Sequence, residues 1–71
     1  NPTGGEITIQ TGEKQKRLTT QITTNSGKTI LTNSCRSCDE MELALDSPPG
    51  MYLLTIRGNY SEKHFKILKF R

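Results

Sequence analysis

The 71-residue sequence has no tryptophan, few other aromatic residues, two cysteines and one histidine. Only 31% of the residues are hydrophobic, and no apolar run approaches the roughly 20 residues that a membrane-spanning helix needs. A chain this short has a thin core, because conformational entropy offsets most of the free energy that burial supplies. We therefore expect residues 1–71 to form one small domain, either a module of a larger protein or one steadied by a partner.

The first residues also lack the charged, apolar and small-residue order of a secretory signal peptide. If the protein is exported, we expect the export signal to lie upstream or to be this domain itself.

Residues suited to catalysis or metal binding are few. His64 lies among lysines without a partner acid nearby, so we expect a solvated strand residue rather than a general base. No serine has the sequence context of a nucleophile elbow. Cys35 and Cys38 make only half of a zinc site and lack the strand-to-helix setting of a redox pair. The sequence predicts no enzyme, no cofactor and no metal site.

The two cysteines are then expected to lie in a local loop. They are either free or closed as a small disulfide, which removes little chain entropy because the ring is short. An oxidising compartment would favour the bonded form.

Alternating apolar and polar residues, with many β-branched threonines, predict strands rather than helices. Asn25-Ser26-Gly27 is a tight-turn signal that makes a hairpin of the strands around it. Polar loops are expected at residues 11–15, 33–39 and 58–61. The predicted strands are 6–10, 16–24, 28–32, 40–46 (for which a short helix is the less favoured alternative), the segment from the Pro-Pro-Gly turn to Arg57, and 62–71. Six strands at this spacing are typical of an antiparallel sandwich or barrel.

The run that follows Pro48-Pro49-Gly50 is apolar on both faces, which predicts a strand buried on both sides in the middle of the domain. Gly50 is expected to set a turn with positive φ, and Tyr52 to fill the core while its hydroxyl reaches a partner. One predicted face carries Tyr52, Leu54 and Ile56, and the other carries Met51, Leu53 and Thr55.

The net charge of +3 is concentrated at the end of the chain. The last nine residues hold four basic side chains and no acid, which leaves six basic and seven acidic side chains in the first 62. This distribution indicates a local contact surface rather than a general polyanion binder. Phe65 and Phe70 could stack on bases, but we favour a core-filling edge strand with a solvated charged face, and no nucleic-acid partner. The basic side chains are Lys63, Lys66, Lys69 and Arg71.

The register of this last strand is ambiguous, because lysines three residues apart cannot all share one strand face. A bulge or a helix would resolve the spacing, and the aromatic and β-branched residues argue against a helix.

Four segments, taken in order, resemble the C-terminal sorting domain of cargo proteins of the type IX (Por) secretion system of Gram-negative Bacteroidetes. Cys35 and Cys38 are not part of that family's pattern, and six strands are one fewer than its seven. The resembling segments are residues 1–9 (an Asn-Pro turn and strand), 22–30 (a hairpin with a Gly-Lys turn), 43–56 (a Leu-rich strand, a Pro-Gly turn and an aromatic strand) and 66–69 (Lys-Ile-Leu-Lys).

The resemblance implies an all-β fold, a small immunoglobulin-like antiparallel β-sandwich of six to seven strands. It implies a C-terminal signal that passes through the periplasm, directs its cargo across the outer membrane, and is then cleaved at the cell surface. Its partners would be the outer-membrane translocon, a shuttle protein, a sortase and the upstream cargo domain. The cargo would reach the cell surface or the extracellular space. The residues expected to be read by the translocon are Lys66, Ile67, Leu68, Lys69 and Arg71, and those expected to define the fold are Gly27, Gly50 and Tyr52.

Two other functions stay open at this point. The first is an immunoglobulin-like adhesion or carbohydrate-binding module of a surface protein, and the second, less favoured, is a compact nucleic-acid-binding barrel. The thin core and apolar edge would also allow a homodimer.

Overall fold

The computed structural model describes the backbone of residues 2–3 and 5–70, and the side chains of residues 5–70. The strands form one sheet in the order β1-β5-β4-β2-β3, in which the β1–β5 pair is parallel and the other pairs are antiparallel. The prediction of an antiparallel all-β fold is confirmed. The described residues include no helix long and apolar enough to cross a membrane. The strands are β1 (Pro2–Thr3), β2 (Glu6–Thr24), β3 (Thr29–Ala44), β4 (Gly50–Arg57) and β5 (Glu62–Lys69).

Strands β2 and β3 form a long hairpin that bends near its middle. The 19 residues of β2 would span about 60 Å if straight, whereas the longest dimension of the Cα trace is 32 Å. The β2–β3 register shifts between Gln10 and Gln15, where Gly12 has a φ of 86°. On β3 the bend contains Ser37, whose φ is 52°. The left-handed conformations at these two residues accompany the change of direction in both strands.

The predicted sandwich of six to seven strands is not confirmed. The predicted strands 6–10 and 16–24 are continuous in β2, and most of 28–32 and 40–46 is continuous in β3. The ladder is paired on both sides of the bend, so the segments 11–15 and 33–39, predicted as loops, are part of the strands, whereas the predicted loop 58–61 does connect β4 to β5. The described residues therefore form four long strands and one of two residues, in a single sheet.

The core lies between two parts of the bent sheet. One part is the open end of the hairpin, where residues 6–10 of β2 pair with residues 40–44 of β3, and the other is the inner face of the rest of the sheet. Ile9 and Met41 lie in the open end of the hairpin, and they pack in one cluster with Leu54 and other buried residues of the rest of the sheet. The buried Thr20 hydroxyl donates a hydrogen bond to the Met41 sulphur at 3.2 Å. The buried hydrophobic residues are Ile9, Leu18, Ile22, Met41, Leu43, Leu45, Tyr52, Leu54 and Ile67.

Strand β4 lies between β5 and β2 in the sheet, but only one of its faces is buried. Tyr52 and Leu54 are buried in the core, whereas Met51 and Leu53 are 47% and 38% exposed. The prediction of a strand buried on both faces was wrong. The bent hairpin covers the inner face of the sheet, and among the described residues no second layer covers Met51 and Leu53.

Candidate recognition surface

Strand β5 carries most of the residues predicted to be recognised by the translocon. Because side chains alternate along a strand, these residues are divided between the two faces of the sheet. Ile67 and Lys69 point inwards and are 2% and 8% exposed. Lys66 and Leu68 point outwards, and Leu68 is 50% exposed. The pairing of β5 with β4 runs without a register shift, so the lysine spacing is resolved by opposite faces rather than by a bulge. Arg71 lies outside the described residues.

The outer face of β4 and β5 carries an exposed apolar surface at one end. Met51 lies directly opposite Leu68, and Leu53 lies opposite Lys66. Phe70 follows β5 and is 58% exposed. Cross-strand partners on one face have Cβ atoms about 5 Å apart, so the paired side chains form a contiguous surface. We call these five residues the outer patch.

A shallow depression of about 290 Å³ adjoins the outer patch at the β2–β3 turn. The patch contributes Met51, Leu53 and Lys66 to its lining, and the turn contributes Gly27 among others. Gly27 has a φ of 95°, and its N–H donates to the Thr24 carbonyl at 3.0 Å. A Cβ at this glycine would meet no atom within 4 Å, so the turn needs glycine for its backbone conformation rather than for space.

Lys69 lies at the end of the domain where the first and last parts of the chain meet. Its Nζ donates a hydrogen bond to the carbonyl oxygen of Ser47. A side chain on Gly5 would come within 3.6 Å of the Lys69 Cε. The Gly5 carbonyl in turn accepts a hydrogen bond from the Leu45 N–H at 2.6 Å. Lys69 therefore ties the end of β5 to the segment between β3 and β4.

Tyr52 makes a second tie to the same segment. Its ring is buried in the core, and its hydroxyl donates a hydrogen bond to the carbonyl oxygen of Pro48. Gly50 follows the two prolines with a φ of 155° and begins β4. The tyrosine thus fixes the turn that precedes its own strand.

The other end of the outer face carries a polar cluster. The Glu62 carboxylate accepts hydrogen bonds from Arg57 Nε at 2.8 Å and contacts His64 Nε2 at 3.1 Å. His64 Nδ1 lies 3.0 Å from the Thr55 hydroxyl. The hydrogen bond from Arg57, and then its charge, lower the pKa of Glu62 below its ordinary value, with a smaller contribution from His64.

The expectation that His64 has no acidic partner nearby was wrong. Glu62 is two residues away, and that spacing on a strand places both side chains on one face. The contact could therefore have been predicted from the sequence. The sequence of hydroxyl, imidazole and carboxylate has the connectivity of a catalytic triad. These side chains, however, stand about half exposed on an open sheet face, and the carboxylate is shared with Arg57. The arrangement is that of a surface ion-pair network.

Cys35 and Cys38 are bonded in a disulfide at the bend of β3, with Cα atoms 6.2 Å apart. The bridge spans Ser37, the residue with positive φ, and both cysteines pack against the core cluster. No group of three or more histidine, cysteine or acidic residues that could hold a metal occurs in the described part of the chain. The pair therefore fastens the bend.

Beneath the bend, the two layers separate around a cleft of about 290 Å³ whose lining includes Ile56 and Phe65. Two hydrogen bonds of Asn59 cross one side of the cleft. The Asn59 N–H donates to Gln15 Oε1 at 2.9 Å, and the Lys16 N–H donates to Asn59 Oδ1 at 2.8 Å. Polar side chains and a disulfide thus take part in closing this end of the domain.

Comparison with known protein families gives a match over nearly the whole chain. The sequence model of the family described as "Secretion system C-terminal sorting domain" matches residues 1–69. No curated protein and no solved structure matches the chain. The family match includes all four segments that carried the resemblance, so that prediction is confirmed. The chain belongs to the family of type IX secretion system C-terminal sorting domains.

Proposed function

We propose that this domain directs a cargo protein across the outer membrane by the type IX secretion system and is then cleaved off by a cell-surface sortase. The observation that carries the proposal is the family match over residues 1–69. Proteins with such a domain are secreted, so the cargo is destined for the cell surface or the extracellular space. The family consists of sorting signals rather than enzymes, and nothing in the match supports an adhesion or carbohydrate-binding module.

The partners in this proposal are the translocon, a shuttle protein, the sortase and the upstream cargo. The translocon would read the tail that includes Lys66, Ile67, Leu68, Lys69 and Arg71. The domain would be exported through the periplasm in a folded form. We also infer that the bent sheet corresponds to the family's immunoglobulin-like arrangement, since its two layers pack face to face as the layers of a sandwich do.

The proposal is tested by fusing residues 1–71 to the C-terminus of a reporter that carries an N-terminal signal peptide. The matched control is the same reporter without the domain, and both are expressed in a type IX-competent host and in that host lacking its translocon. We expect extracellular reporter only where the domain and the translocon are both present. Equal extracellular amounts with and without the domain would contradict the proposal.

Cleavage is tested separately by the mass of the extracellular reporter. We expect a product that lacks the sorting domain when the sortase is present and retains it when the sortase gene is deleted. An intact domain on the extracellular reporter in both hosts would exclude cleavage while leaving the sorting function in place.

A further inference from the structure

The two faces of β5 differ in what a partner can reach. Contact with Ile67 or Lys69, both under 10% exposed, would require β5 to leave the sheet. That step would break a ladder with β4 that extends over the whole length of both strands. A partner that binds the folded domain therefore meets only the outward residues of the tail.

The outward residues belong to the largest group of exposed apolar side chains described in the chain. Large hydrophobic side chains that are at least 38% exposed occur at six described positions, and four of these are in the outer patch. Contiguous exposed apolar surface of this kind marks interaction sites, whereas single exposed residues need no explanation. The four are Met51, Leu53, Leu68 and Phe70, and the other two, Tyr60 and Phe65, lie elsewhere.

The charge of the patch indicates the chemistry of its partner. Lys66 lies between the apolar side chains, directly opposite Leu53. The last nine residues of the chain contain no acid that would make the tail self-complementary. A second copy of this chain would bring another net charge of +3, and like charges across an interface are unfavourable. An apolar surface that carries a carboxylate opposite Lys66 fits this patch.

We infer that the translocon recognises the folded domain through the outer patch, using a surface that is apolar and carries a carboxylate. Lys66 and Leu68 are contacted directly, whereas Ile67 and Lys69 are positioning residues that act by holding the tail in the sheet. This inference rests on the proposed function. Within the Lys-Ile-Leu-Lys motif, the first and third residues therefore contact the partner, and the second and fourth are buried in the domain.

The test uses the reporter that carries residues 1–71, with Lys66→Glu or Leu68→Ser in the domain. The extracellular fraction is expected to fall about fivefold or more, as for residues near the centre of an interface. The matched controls are Lys14→Glu, with the same charge change on the exposed part of the bend, and Tyr60→Ser at the 97% exposed tyrosine. The controls and Lys66→Arg are expected to be secreted like the unmodified domain.

Thermal unfolding of the purified variants distinguishes a loss of recognition from a loss of folding. Lys66→Glu and Leu68→Ser are expected to keep the unfolding midpoint of the unmodified domain, whereas Lys69→Met, which loses the hydrogen bond to Ser47, is expected to unfold at lower temperature. Growth at a temperature where Lys69→Met is folded should restore its secretion. Lowering the temperature should not restore secretion of Lys66→Glu.

Three results would overturn the inference. The first is normal secretion of Lys66→Glu and Leu68→Ser, and the second is a Lys69→Met variant that is fully folded yet not secreted. The third is a dimer of the purified domain that Leu68→Ser dissolves, since the patch would then bind a second copy. Absence of secretion of the unmodified fusion would instead contradict the proposed function.

Discussion

The two ends of the domain are held together by different kinds of contact. At one end, Lys69, Gly5 and Leu45 join the last strand, the first residues and the segment before β4 through buried contacts and hydrogen bonds. At the other end, the disulfide and the hydrogen bonds that Asn59 makes with Gln15 and Lys16 fasten a bend that leaves a cleft beneath it. The first end contains the tail that a translocon would recognise, so residues that hold the fold alternate there with residues that a partner can contact.

This difference affects how experiments on the tail are interpreted. Deleting residues 66–71 removes the outward Lys66 and Leu68, but it also removes Ile67, which is buried in the core. Loss of secretion after such a deletion could follow from lost recognition or from lost folding. Single substitutions on opposite faces of β5 separate the two causes.

The largest effect is expected from Ile67→Ala, compared with Leu68→Ala as its neighbour on the other face. Ile67→Ala removes buried methyl groups and leaves a cavity, which costs about 2–5 kcal/mol of unfolding free energy. Leu68→Ala truncates a half-exposed side chain and is expected to change that free energy by only about 0.5 kcal/mol. Urea unfolding of the two variants measures the difference. Equal losses would show that the two faces of the tail do not differ in structural importance.

The alternation of the tail could be predicted from the sequence, although its consequence for recognition could not. Strand alternation places Phe65 and Ile67 on one face of β5 and Lys66 and Leu68 on the other, as the pairing with β4 shows. Which face is buried depends on the part of the hairpin that folds across the sheet. No pattern within β5 contains that information.

The bends were the main feature that sequence patterns could not predict. The polar residues around Gly12 are typical of a loop, and they were interpreted in that way. A hydrogen-bonded ladder can change direction without ending when both of its strands bend together, as β2 and β3 do around Gly12 and Ser37. The same bend decides that only one face of β4 is covered, which is why Met51 and Leu53 are exposed.

An intermediate effect is expected from removing the disulfide with the double change Cys35→Ser and Cys38→Ser. The bridge closes a ring of four residues, and so short a loop contributes about 2 kcal/mol by loss of chain entropy in the unfolded state. Guanidinium unfolding with and without a thiol reductant measures this. The reductant should destabilise the unmodified domain and leave the double variant unchanged. An unmodified domain that is insensitive to reductant would show that the bend is held without the bridge.

The smallest effect is expected from the Arg57–Glu62 pair at the polar end of the outer face. The pKa of Glu62 is lowered from its ordinary value of 4.5, first by the hydrogen bond and then by the charge of Arg57. A carboxyl whose folded-state pKa is depressed adds stability above its unfolded-state pKa, and this stability is lost as the pH falls through the folded-state value. The contribution is small because both side chains are exposed and the pair is screened by solvent and salt.

The matched variant for this pair is Glu62→Gln, which keeps the shape of the side chain and removes its titration. The unfolding midpoint of the unmodified domain should exceed that of the variant at neutral pH in low salt. The gap should close as the pH falls below about 4.5, and it should also shrink in high salt. A gap that persisted under acidic conditions would mean that Glu62 contributes through packing rather than through its charge. In that case the polar end of the outer face, like the end of the domain that contains Lys69, would be held by packed contacts rather than by charge.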